Sequence, residues 1–156
     1  MLKKLLSLSN ILACVTFILS LVALILYAVN INSTGYFQGV KADGLVLLLI
    51  LVMVFDLLII GRSFLNFEDI LDKVLDLVVM VLKVLVPLFI MIAILKLVQS
   101  RVEGFGYIFF SNADVAKEVA TPANVASAGV SITTIVFSAI AVIVALVGAF
   151  ISPKKD

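Results

Sequence analysis

Four long apolar stretches, separated by segments that carry most of the charges, constrain the fold of this chain more than any other feature. A helix needs about 20 predominantly apolar residues to cross the hydrocarbon core of a bilayer, which is about 30 Å thick. Hydrophobic residues make up 64% of the chain and the mean hydropathy is +1.34, whereas a soluble domain is closer to half apolar. The sequence therefore predicts an all-α integral membrane protein with four transmembrane helices.

The spacing of the apolar stretches predicts one domain over residues 1–156, folded as an up-down-up-down bundle. The connection between the second and third spans is short, whereas two longer connections are predicted to lie outside the membrane. The predicted spans are residues 10–29, 44–61, 75–98 and 129–151, and the predicted outside loops are residues 30–43 and 100–128.

Positively charged side chains predict the orientation of the bundle. They precede the first span, flank the short second connection and follow the last span, at Lys3, Lys4, Arg62, Lys73, Lys154 and Lys155. Short loops rich in Lys and Arg face the cytoplasm in membrane proteins. We therefore expect both termini to be cytoplasmic, in the plasma (cytoplasmic) membrane.

The third span has a polar face that continues into the apolar region. Asp72, Asp76 and Lys83 follow helical spacing on this face. On insertion scales a Lys at the bilayer centre costs about 3 kcal/mol, while each Leu, Ile or Val contributes about 0.3–0.6 kcal/mol in favour of insertion. The segment is thus expected to insert, but Lys83 requires a partner.

Asp56, in the second span, is the candidate partner of Lys83. Two antiparallel helices joined near Arg62 would place the two side chains at similar depth. This spacing predicts an intramembrane ion pair between Asp56 and Lys83. Two alternatives stay open at this point: separate snorkelling of each side chain to the interface, and a water-filled functional cavity.

Small or hydroxylated residues recur at alternating spacings of three and four along the last span. Such residues let helix backbones approach closely in lipid, where no hydrophobic force drives helices together. The pattern predicts a helix-packing seam, although a polar stripe lining a pore is the alternative. The seam consists of Ser131, Thr134, Ser138, Ala141, Ala145 and Gly148.

The connection before the last span contains two helix-start signals. Ser111 and Asp114 have the spacing of a capping box, which predicts a short surface helix from Ala113 to Ala120. Thr121 and Pro122 have the residue types of an N-cap and a first helical position, and they predict the start of the last helix. Whether this connection is functional or a structural cap is left open.

The residue inventory argues against catalysis. The chain has no His, which is the commonest general base and transition-metal ligand. Its one cysteine, Cys14, excludes the paired thiols that a thiol-redox enzyme needs. No catalytic, cofactor-binding or metal-binding residue is predicted, and the net charge of +1 provides no basic surface for nucleic acid.

These observations favour a non-enzymatic scaffold or accessory subunit of a membrane complex. The expected partners are the lipid bilayer and either further copies of the chain or a larger membrane protein. The alternative is a small oligomeric transporter or channel that uses Asp56, Asp76 and Lys83, because ionisable residues inside a membrane are functional candidates by default. A membrane enzyme built on the same side chains is the third hypothesis.

Overall fold

The computed structural model describes residues 7–65 and 69–151, except for the side chain of Asp69. The described residues are all-helical, with no strand. Lys3, Lys4, Lys154 and Lys155, on which the orientation was predicted, lie outside them. The helices are α1 (Leu8–Asn32), α2 (Leu45–Arg62), α3 (Asp69–Phe110), α4 (Ala113–Val119) and α5 (Pro122–Phe150).

Four of these helices, α1, α2, α3 and α5, are long and apolar enough to cross a membrane. Large apolar side chains are exposed along all four. A soluble protein would bury most of such a surface, whereas lipid solvates it. The predicted membrane-protein class with four apolar helices is therefore confirmed at this level.

Helix α3 is longer than the predicted third span. Its 42 residues correspond to about 63 Å of helix, twice the thickness of a bilayer core. It passes through Pro87 and continues to Phe110, so the first part of the expected outside loop is helical. Gly104 and Gly106 do not stop it; each glycine costs only about 1 kcal/mol in a helix, and Gly104 is buried in a tertiary contact described below.

The starts of α4 and α5 test the two capping predictions. Helix α4 is capped by Asn112, whose side chain accepts a hydrogen bond from the backbone N–H of Val115. The predicted short helix is therefore present, but its N-cap is Asn112, one residue after the predicted Ser111. Helix α5 begins as predicted, with Thr121 as the N-cap and Pro122 in the first turn.

Helices α1 and α5 pack closely together, and α2 and α3 complete the packing around them. Leu12, near the start of α1, lies against Gly148, near the end of α5. Asn30, near the end of α1, bonds to Ser131 in the first half of α5. The two helices therefore run antiparallel to each other.

The buried face of α1 has a seam of its own, which the sequence analysis missed. Its members recur at spacings of three and four, as on α5, and most are small or hydroxylated. They are Ser9, Ala13, Thr16, Ser20, Ala23, Tyr27 and Asn30. Two such faces allow close backbone approach, which is the main source of helix association in lipid.

Candidate functional site

Lys83 joins three helices at one end of the molecule. Its side chain is 7% exposed. The ammonium group donates one hydrogen bond to the Ser9 hydroxyl and one to the backbone carbonyl of Ile151, both at 2.7 Å. Ser9 lies in the first turn of α1, and Ile151 is the C-cap residue of α5. Lys83 thus links α3 to the start of α1 and the end of α5.

Asp56 faces the interior from α2. It occupies the same helix face as Leu49, Val52 and Ile59, which are buried, so the helical period that buries those residues also turns the carboxyl group away from lipid. Asp56 is 1% exposed, and its Oδ2 atom has no hydrogen-bond partner. A buried polar group without a partner is costly, and a buried unpaired charge is more so, so an ionised Asp56 would be unfavourable in this position.

Asp56 and Lys83 line one small cavity. Its volume of about 20 Å³ corresponds to room for about one water molecule. Ser9 and Thr16 also line it. The wall is otherwise apolar or small, formed by Leu12, Ala13, Ile59, Val86, Val144, Ala145 and Gly148.

The predicted ion pair between Asp56 and Lys83 is not formed in this arrangement, because Lys83 is bound to Ser9 and Ile151. The structure places both side chains at one cavity, as the similar-depth argument requires. An ion pair between Asp56 and Lys83 therefore stays a prediction.

Asp72 and Asp76, the predicted polar face of α3, lie at the connection with α2. The Arg62 guanidinium contacts the Asp72 carboxylate, and it also donates to Oδ1 of Asp76 at 2.7 Å and to the carbonyl of Leu65 at 2.7 Å. These bonds fasten the end of α2 to the start of α3. Asp76 does not line the cavity of Asp56, so the structure does not bring the three ionisable residues of the transporter hypothesis together.

The predicted seam of α5 is buried, except for Gly148, which is partly buried beside Leu12. Two of its hydroxyls are bonded within their own helix: Thr134 donates to the carbonyl of Val130 and Ser138 donates to that of Thr134, each at 2.8 Å. Hydroxyls satisfied in this way do not need water. This geometry is that of a packed interface.

A polar junction fastens the opposite end of the α1–α5 interface. Asn30 donates to the Ser131 hydroxyl at 2.6 Å and accepts a bond from the Ser127 hydroxyl at 2.7 Å. Ser127 in turn accepts the backbone N–H of Phe37 at 3.3 Å. Asn30 was expected in the outside loop of residues 30–43, but it lies in the last turn of α1.

Arg101 is a buried residue that the sequence analysis did not identify. It is fully buried, its guanidinium lies 4.5 Å from the centre of the Phe37 ring, and it donates to the carbonyl of Val40 at 2.9 Å. The centre of the Tyr27 ring lies 5.8 Å from the same guanidinium, and the Tyr27 hydroxyl accepts a hydrogen bond from the backbone N–H of Ala42. Arg101 thereby holds the 33–44 connection against α3 through a cation–π contact. The two aromatic rings that contact Arg101 are distant from it in sequence, so no local pattern points to its burial.

The site chemistry is limited to a carboxyl group, an ammonium group and hydroxyls. Across residues 7–65 and 69–151, no group of three or more His, Cys, Asp or Glu side chains is positioned to hold a metal ion. No protein-family model matches the chain, and comparisons with the curated proteins and with the solved structures find no similar protein.

Proposed function

We propose that this protein is a non-enzymatic, multi-pass scaffold or accessory subunit of a membrane complex. The proposal includes an up-down-up-down arrangement of the four long helices, with both termini on the cytoplasmic side of the plasma (cytoplasmic) membrane. One observation carries it: the polar groups between α1 and α5 are largely bonded to each other or to their own helix backbones. These polar groups therefore serve the packing of α1 against α5, and the lipid-facing surfaces of the helices are left for partners.

Native mass spectrometry of the protein extracted in native nanodiscs tests this role. We expect a stoichiometric foreign membrane subunit to remain bound, whereas a discrete homo-oligomer would favour the transporter or channel alternative. A chain that is monomeric and alone at native expression level would contradict the accessory role. The extraction is done once with a C-terminal tag and once with an N-terminal tag. This comparison controls for loss of a partner caused by the tag.

Cysteine labelling tests the orientation. In a Cys14→Ser background, Gln38→Cys places a single thiol in the connection between α1 and α2, and Lys73→Cys places one near the start of α3. The proposal assigns these two positions to opposite sides of the membrane, and both native residues are exposed. An impermeant maleimide added to intact cells should label Gln38→Cys and should label Lys73→Cys only after permeabilisation. The reverse pattern would invert the proposed topology, and labelling of both in intact cells would refute the four-span arrangement.

A transporter or channel is the second candidate, and the unpartnered carboxyl oxygen of Asp56 favours it. An intramembrane carboxyl group beside a Lys is a common feature of ion pathways. Proton and cation flux into proteoliposomes, compared between the native protein and Asp56→Asn, tests this candidate. Flux that Asp56→Asn abolishes would support transport, and flux equal to that of empty vesicles would count against it.

A further inference from the structure

The arrangement of charges at the cavity is unbalanced. Lys83 donates to two neutral oxygen atoms, those of Ser9 and Ile151. Asp56, which shares the cavity, has a carboxyl oxygen that accepts nothing. An ionised carboxylate buried beside an ammonium group would be expected to pair with it, since separating two buried opposite charges is costly. A neutral carboxylic acid has no charge that an ammonium group would pair with. The observed arrangement therefore fits an Asp56 that carries a proton.

Among residues 7–65 and 69–151, the cavity is lined by no charged side chain other than Asp56 and Lys83. The described part of α5 contributes no ionisable side chain, and the cavity wall formed by α1 consists of Ser9, Leu12, Ala13 and Thr16. From α2 the nearest other charged residue along the helix is Arg62, which is bound to Asp72 and Asp76 of α3. Within the described part of the chain, Asp56 and Lys83 are therefore the two groups whose charges meet at the cavity.

We propose that this cavity is a proton-binding site in which a proton on Asp56 and the Lys83 ammonium group are alternative partners of the same carboxyl group. With the proton bound, Lys83 remains on Ser9 and Ile151, as observed. When the O–H bond of the acid breaks, the proton passes to water and its electron pair stays on the carboxylate. Lys83 keeps all its protons and exchanges its two neutral acceptors for Asp56.

The exchange has a structural consequence at one end of the molecule. The bonds from Lys83 connect α3 to the first turn of α1 and to the C-cap of α5. Moving the ammonium group to Asp56, on α2, replaces these links with a link between α2 and α3. Loss of one proton would thus loosen the end of α5. This inference does not rest on the accessory role, because a subunit and a transporter could both use such a site.

Infrared difference spectroscopy on the protein in nanodiscs, recorded as a pH titration, tests the proposal directly. A protonated carboxyl group gives a C=O stretching band that shifts in heavy water. We expect a titrating band of this kind that Asp56→Asn removes and that Asp76→Asn, the matched control bound to Arg62, leaves in place. Absence of any band that depends on Asp56 would overturn the proposal.

Two further variants keep the test decisive even if Asp56→Asn does not fold. Lys83→Met removes the internal counter-ion, so the band should persist to higher pH, by about 1–3 units. Ser9→Ala removes an acceptor from the docked Lys83 and favours its move to Asp56, so the band should disappear at lower pH than in the native protein. Opposite shifts support the exchange. A titration that neither substitution moves, or that both move in the same direction, refutes it.

Discussion

Replacing Asn30 by Ala should weaken the α1–α5 interface at the end remote from Lys83. The substitution removes two hydrogen bonds between the helices, those to Ser127 and Ser131 at 2.7 and 2.6 Å. Hydrogen bonds between side chains of membrane helices average about 0.6 kcal/mol and reach about 1.7 kcal/mol. We therefore expect the free energy of unfolding to fall by about 1–3 kcal/mol, toward the upper end because the site is buried.

Asn32 provides the matched control. It lies on the exposed side of the same turn and donates only to the carbonyl of Ala28 in its own helix. Unfolding in mixed micelles, followed by far-ultraviolet circular dichroism, should show a much smaller loss for Asn32→Ala than for Asn30→Ala. Equal losses would mean that the bonds between helices contribute nothing beyond local helix stability.

A double-mutant cycle isolates the bond itself. Combining Asn30→Ala with Ser131→Ala should cost less than the sum of the two single substitutions, by about 0.6–1.7 kcal/mol. The cycle separates this bond from the space that the smaller side chain leaves. A coupling energy of zero would refute the assignment of the polar junction as an energetic link between α1 and α5.

Two further predictions concern the end of α3. At Gly104 an added Cβ atom would lie 2.5 Å from the Phe37 ring, so Gly104→Ala should lower the free energy of unfolding by about 1–3 kcal/mol. Gly106 has open space around it, so Gly106→Ala should raise the free energy of unfolding by up to about 1 kcal/mol. Equal effects of the two substitutions in thermal unfolding would contradict the close contact at Gly104. Burial, and then the charge of Glu103, raise the pKa of the Tyr36 phenol above its ordinary value of 10.0. A raised pKa in an acid stabilises the fold below the unfolded-state pKa, and this contribution is lost as the pH rises through the folded-state pKa. Glu103→Gln should bring the ultraviolet titration of Tyr36 to lower pH, and an unchanged titration would rule out this charge as a cause.

Some residues of the site could be predicted from the sequence, but their contacts could not. The 3–4 spacing of small residues predicts the buried seam on α5. The same spacing runs from Ser9 to Ala23 on α1, so the signal for the second seam was also present in the sequence. Asp56 and Lys83 could be predicted as site residues because ionisable side chains in apolar segments are unusual. The structure brings both residues to one cavity. The acceptors of Lys83 are 74 and 68 residues away in sequence, and no local pattern points to them.

The sequence by itself determined the class of protein, the four apolar helices and the start of α5 at Thr121 and Pro122. These features follow from transfer of side chains to lipid and from capping chemistry, which act within one helix or one turn. Only the tertiary structure decided that Lys83 binds Ser9 and Ile151, that Arg101 is buried against Phe37, and that α3 continues to Phe110. Those outcomes depend on how the helices are rotated and staggered against each other, and hydropathy does not encode rotation or stagger.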